Sequence, residues 1–251
     1  MIPNTAMQVD DALRRIAQLD IVRHSPELRR IPELVRQVFA EGPLADRQSA
    51  LQSVAGELLA SGTVHPQTAA ILAPLCPLAP QLDERLQVQF WHVVAYACGA
   101  MTQPSGRVAH ENLRPHARSF IERRMRSTEP GTPMMCALAA VSVAYPDWGR
   151  LAAPAIMRGF RVPPPGSAVR AVAGLGLLGL GVHDGDVLFD LNQLRKNDAE
   201  GDLSNALALV LDPPSDVEFA AERVLDAMSE CALGFWGNLT VGQRAGVLPT
   251  G

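Results

Sequence analysis

Large rings are scarce in this sequence: 3 Trp, 2 Tyr and 7 Phe among 251 residues, 5% in all. An interior with so few has to be filled by Ala, Leu and Val, which suits close helix–helix packing better than a β-sandwich. Lysine is almost absent. Of the 22 basic residues only Lys196 is a lysine, so the cationic surface consists of guanidinium groups, which suit bidentate contacts to carboxylate and phosphate. No apolar run approaches the roughly 20 residues that a bilayer requires; the longest are Met134–Tyr145 and Ala171–Val182. The N-terminal stretch holds Asp10, Asp11 and Asp20 and no apolar segment, so no secretory signal is expected. Cys76, Cys98, Cys136 and Cys231 form no C-x-x-C pair, and each sits in an apolar stretch, as buried thiols of a reducing compartment would. Together these absences predict a cytoplasmic protein with no membrane span.

What is present is the composition of a folded chain: 47% hydrophobic residues, 19% charged, and a net charge of −4. A chain of this length buries about 70% of its unfolded surface, so a sizeable core is expected. Helical periodicity runs almost throughout. Leu28, Ile31, Leu34, Val35, Val38 and Phe39 form one stripe, and Leu51, Val54, Ala55, Leu58 and Leu59 another. Ser25-Pro26 and Thr132-Pro133 read as N-cap followed by proline, Asp83 and Asp147 as further N-caps, and Ser215 with Glu218 as a capping box. Phe90–Ala97 is apolar on nearly every side, as in a helix packed between neighbours. No segment alternates with the period of a strand. The expected fold is all-α.

Prolines within the helical segments recur. Pro32, Pro74, Pro115 and Pro154 lie 42, 41 and 39 residues apart in similar contexts. A proline inside a helix removes a hydrogen bond and kinks it, so a kink about every 40 residues suggests a repeated helix pair. Asp46-Arg47, Asp83 with Arg85, and Val169-Arg170 each precede the apolar positions of a following helix; the helix starting at Thr132 has no such residues. This combination resembles the HEAT-repeat (armadillo-like) family over about residues 25–230. The resemblance implies a right-handed α-solenoid of about five or six helix pairs. It would form a single domain over 1–251, with an N-terminal cap helix in 1–24 and an atypical C-terminal cap in 201–251.

A second likeness lies in Ser61-Gly62-Thr63-Val64-His65-Pro66-Gln67-Thr68-Ala69-Ala70, which is similar to the start of the second helix pair in bacterial HEAT-like proteins found beside polymorphic toxins. His65 replaces an aromatic residue there. The similarity implies an immunity or interaction protein.

Charge is unevenly distributed. Residues 1–100 carry 8 Arg against 10 acids, residues 101–183 carry 10 Arg against 4, and residues 184–251 carry 4 bases against 12 acids. The basic cluster comprises Arg107, Arg114, Arg118, Arg123, Arg124 and Arg126, with His110 and His116 among them. One reading is complementation of a helix C-terminus on a solvated face. The functional reading is a docking patch for an acidic protein or a phosphate-bearing ligand, with Arg114, Arg118, Arg123, Arg124 and Arg126 as contact residues. The acidic final third either keeps the protein soluble or steers a cationic partner such as a nuclease toxin.

Catalytic patterns find little local support. Gly174-Leu175-Gly176-Leu177-Leu178-Gly179 matches G-x-G-x-x-G, but Asp184 and Asp186 come too early for a ribose contact and no βα alternation surrounds it. Close approach of a neighbouring helix explains the glycines more simply. His110-Glu111 and His116 lack the four-residue spacing of a helical zinc pair, and Pro115 intervenes. His92 reads as a core residue and Trp148, beside Asp147, as packing at a helix start. The expectation is therefore a non-enzymatic scaffold with no catalytic residue, cofactor or metal, whose partner is another protein, in the sharper form a bacterial toxin. The alternative is a HEAT-like binder of nucleic acid or damaged bases using the Arg107–Arg126 patch. A third possibility is an enzyme of the lyase-like branch.

Overall fold

The structure, a computed structural model, describes residues 5–19, 22, 25, 26, 28–59, 63–197, 202–212 and 221–236. Among them are twelve α-helices and no strand, so the fold is all-α. The chain divides into two compact units, Met1–His116 and Ala117–Gly251.

The first unit contains α1 (Thr5–Ala17), α2 (Ile31–Phe39), α3 (Leu44–Leu58), α4 (Thr68–Leu72), α5 (Glu84–Gly99) and the beginning of α6 (Pro104–Ser127). The apolar stripes face inward as their spacing requires: Ile31, Leu34, Val35 and Val38 on α2 are buried, as are Leu51, Val54 and Leu58 on α3. In α5 the run Leu86–Ala95 is buried without interruption, so this helix is enclosed on all sides. Thr63–Ala70 has a local structural task, since it closes the C-terminus of α3. The Leu58 carbonyl accepts from the His65 N–H at 2.8 Å and from Thr68 Oγ1 at 3.2 Å. His65 Nδ1 in turn accepts from the Gln67 N–H at 3.2 Å.

The second unit contains the rest of α6, then α7 (Met134–Ala144), α8 (Pro146–Arg161), α9 (Ala168–Gly179), α10 (Gly185–Asn197), α11 (Asp202–Leu211) and α12 (Ala221–Trp236). Helix α9 is its centre and packs on α7, α8, α10 and α12. The three glycines of the G-x-G-x-x-G match lie within α9. A Cβ on Gly176 would come within 2.7 Å of Ala139 Cβ, and one on Gly179 within 2.9 Å of Val143, both on α7. Close helix approach is thus what two of the three glycines permit. Past the end of α9, Gly181 takes φ +79°, and the Val182 N–H reaches back to the Leu177 carbonyl at 2.9 Å while Gly181 N–H bonds to Leu178, a Schellman closure. Helix α12 packs on α7 as well as on α9. Purely one-dimensional stacking, in which each pair touches only its neighbours, would not bring those elements together.

The prolines and caps depart in part from expectation. Pro115 and Pro154 lie inside α6 and α8. Pro32 sits instead in the first turn of α2, where no hydrogen bond is lost, and Pro74 follows α4. Pro74 and Pro77 have no N–H to offer the carbonyls of Ala70 and Ala73 four residues earlier, so α4 gives way to turns rather than kinking. Leu28, not Pro26, begins the 3-10 turn that leads into α2, and the Ser25 carbonyl accepts from Arg29 N–H at 3.1 Å. Pro133 rather than Thr132 is the N-cap residue of α7, and Asp147 is the second residue of α8, behind Tyr145. Asp83 does occupy the N-cap of α5, though its side chain makes no cap bond. Ser215 and Glu218 lie outside the described residues.

Candidate functional site

The arginines singled out by the sequence all lie on α6. A helix advances about 100° per residue, so Arg107, Arg114 and Arg118, seven and four residues apart, share one face. Ala109, Leu113, Ala117, Phe120 and Ile121 form the buried face of the same helix. Arg107, Arg114, Arg118, Arg123 and Arg126 are exposed, whereas Arg124 is half-buried with its guanidinium 5.9 Å from the Phe120 ring centre. Arg118 is committed locally. Its Nε donates to Glu122 at 2.8 Å, and its guanidinium lies 5.6 Å from the centre of Trp148, which stacks on Tyr145 at 5.7 Å. Trp148 is therefore a packing residue near the start of α8, as its sequence position suggested. Arg123 and Arg126 have no carboxylate partner among the described residues.

Histidines and cysteines are placed structurally. His110 Nδ1 is 3.2 Å from the Cys98 carbonyl, and His92 is buried in α5. No group of three or more His, Cys, Asp or Glu side chains able to hold a metal ion occurs among the described residues. All four cysteines are buried thiols. Burial is the main cause that raises the Cys76 thiol pKa far above its ordinary value, with Cys98 nearby adding to it, and burial pushes Cys231 up to about 12. Both remain protonated and unreactive at neutral pH.

The acidic final third is partly structural. Asp184 accepts at the start of α10 from the N–H groups of Asp186 and Val187, at 3.0 and 3.4 Å. Asp190 pairs with Arg170 and Asp212 with Arg195. The described part of this segment is thus not a free field of negative charge.

Sequence reasoning missed a cleft of about 820 Å³ in the first unit. One wall is α1, through Met7, Gln8, Asp11, Arg14 and Arg15. The other is the Ala70–Leu78 segment, with Pro74 and Pro77, and His116 of α6 completes the lining. Asp11 pairs with Arg15 at 2.8 Å and with Arg14 at 3.5 Å. Burial lowers the His116 pKa below its ordinary value, so its imidazole is neutral at pH 7. The cleft joins α1 to a segment some 60 residues later, and no local pattern announces such a pairing. A partial signal did exist, since Ala70, Ala73, Pro74, Pro77 and Leu78 recur at helical spacing.

No family model, curated protein or solved structure matches this chain. No helix among the described residues is long and apolar enough to cross a membrane.

Proposed function

We propose that this chain is a non-catalytic protein-recognition module made of HEAT-like helix pairs, and that it docks an acidic surface of another protein on the arginines of α6. The observation that carries the reading is the state of Arg123 and Arg126, which are exposed and without a carboxylate partner among the described residues, about one and two turns beyond Arg118. Fixed on a helix, such guanidiniums present bidentate donors without having to order a loop on binding. Two arginine clamps support the HEAT-like part of the proposal. Arg47, near the start of α3, donates to the Val38 carbonyl at 2.9 Å and to Asp83. Arg170, near the start of α9, donates to the Pro163 carbonyl at 3.2 Å and to Asp190. Each ties a helix start to a later element and to the preceding helix, at its last turn for Arg47 and just past its end for Arg170, as a repeated unit would. The finer form of the reading has the pairs stack as a right-handed solenoid in a cytoplasmic protein, the row closing on itself in the second unit where α12 meets α7. Its partner would be a bacterial toxin that the chain neutralises as an immunity protein.

The same arginines suit phosphate, which keeps nucleic-acid binding as the second reading. Titration of immobilised poly-glutamate and of a short DNA duplex, with the wild type and with Arg123→Glu/Arg126→Glu, separates the two. Protein recognition predicts retention on poly-glutamate that the double variant loses, and no shift of the duplex at low salt. A duplex shift that falls steeply with salt would transfer the assignment to nucleic acid.

A further inference from the structure

We propose that the cleft of the first unit binds an amphiphilic anion, whose carboxylate or phosphate is held by Arg14 and Arg15 and whose apolar body lies along the Ala70–Leu78 face. The site is distinct from the α6 arginines and does not rest on the reading given to them.

Size comes first. About 820 Å³ lies within the roughly 300–1,000 Å³ typical of small-molecule sites and far exceeds what a few waters need. The lining is then divided by chemistry. Ala70, Ala73, Pro74, Pro77 and Leu78 offer a surface of methyl groups and proline rings, and Met7 and Leu19 extend the apolar lining from the α1 side. Met7 is 56% exposed, an unfavourable position for a large apolar side chain that a ligand's body would cover.

The polar groups converge at α1. Asp11, Arg14, Arg15 and His116 are the only ionisable side chains among the described residues of the lining. Asp11 neutralises one of the two guanidiniums and leaves one positive charge in surplus. Because His116 is neutral at pH 7, it adds a hydrogen-bonding group without adding charge. Both guanidiniums are 70% exposed and solvated when the cleft is empty; a cationic head group would meet two arginines against one carboxylate, and a neutral one would gain nothing from the surplus. An anion completes the set, and the geometry of the guanidinium favours a planar carboxylate or a phosphate that accepts two bonds at once.

Isothermal titration with decanoate and with decyl phosphate, using decanol and decyltrimethylammonium as controls, tests this on the full chain. Two variants accompany the wild type: Arg14→Gln/Arg15→Gln removes the charge, and Ala70→Trp fills the cleft. Both alter exposed positions, and circular dichroism confirms that each variant folds. The expected result is saturable 1:1 binding of the anions and none of the controls. Affinity should fall about tenfold or more in the arginine variant, as loss of charge-assisted hydrogen bonds implies, and binding should vanish in Ala70→Trp. Arg123→Glu/Arg126→Glu should bind as the wild type does. Preference for decyl phosphate assigns the site to phosphate monoesters, preference for decanoate to carboxylates, and equal affinity to the charge alone. No saturable binding of either anion, equal binding of decanol, or unchanged affinity in both cleft variants would overturn the proposal.

Discussion

Arg47 donates to Asp83 at 2.6 Å across 36 residues of sequence, and the same guanidinium holds the Val38 carbonyl through Nε. Three elements therefore meet on one side chain: the last turn of α2, the first turn of α3 and the N-cap residue of α5. The Arg47 side chain is only 16% exposed and its bond to the Val38 carbonyl is partly buried, whereas Asp83 is half-exposed. Arg170 repeats the arrangement in the second unit and adds a ring contact, its guanidinium lying 4.5 Å from the centre of Phe160.

Arg47→Ala should lower stability by about 1.5–3 kcal/mol, the range for hydrogen bonds to charged groups. Asp83→Asn should cost less, because Asp83 is half-exposed and the Val38 bond survives. Urea denaturation of the two variants measures the difference, and equal losses would show that the carbonyl contact contributes nothing.

The glycines of α9 should respond oppositely to the same change. Gly176→Val forces side-chain atoms into Ala139 and should destabilise by about 1–3 kcal/mol through overpacking. Gly174→Ala meets Phe160 and Val187 only at 3.4 and 3.5 Å, and should stabilise by up to about 1 kcal/mol through helix propensity. Thermal melts read both signs.

His116 gives stability a pH dependence. Burial lowers its folded pKa, so the unfolded chain takes up the proton first as pH falls. Its contribution is complete above the unfolded value of about 6.5 and is lost as pH drops from there through the lower folded value. Comparing urea midpoints at pH about 7.5 and about 5.5 should show a smaller acid loss in His116→Gln than in the wild type.

Thiol labelling should track unfolding. With all four cysteines buried, iodoacetamide should leave the native protein unmodified and label it fully in denaturant, as intact mass shows. Rapid labelling of Cys76 in the native state would contradict its enclosure.

Much of the architecture was legible because local physics dictates it. Stripes such as Leu51, Val54 and Leu58 fix which face of α3 turns inward, and the crowded glycines of α9 announced a close neighbour. Arg47 and Arg170 were recognisable by position, but their acceptors were not, since Asp190 is reached only through tertiary packing. The prolines misled for a positional reason. Pro32 in a first turn and Pro74 after a helix end look like kinks when boundaries are unknown, and boundaries depend on caps that the sequence marked imperfectly. The α6 arginines were visible as a run of charge. Their division into Arg118, tied to Glu122 and Trp148, and Arg123 and Arg126, without such ties, depends on neighbours from other turns and helices. The cleft was out of reach for the same reason.

Helix α12 reaches past α9 to touch α7, so the last described helix of the second unit is stitched to its first full one. An open row of repeats can fray from its end, one pair at a time. Here, loosening the tail uncovers Met228 from Gly176 and Val224 from Gly179 and undermines the oldest contact of the layer with the newest. The described helices α7, α9 and α12 are thereby expected to melt together rather than one after another.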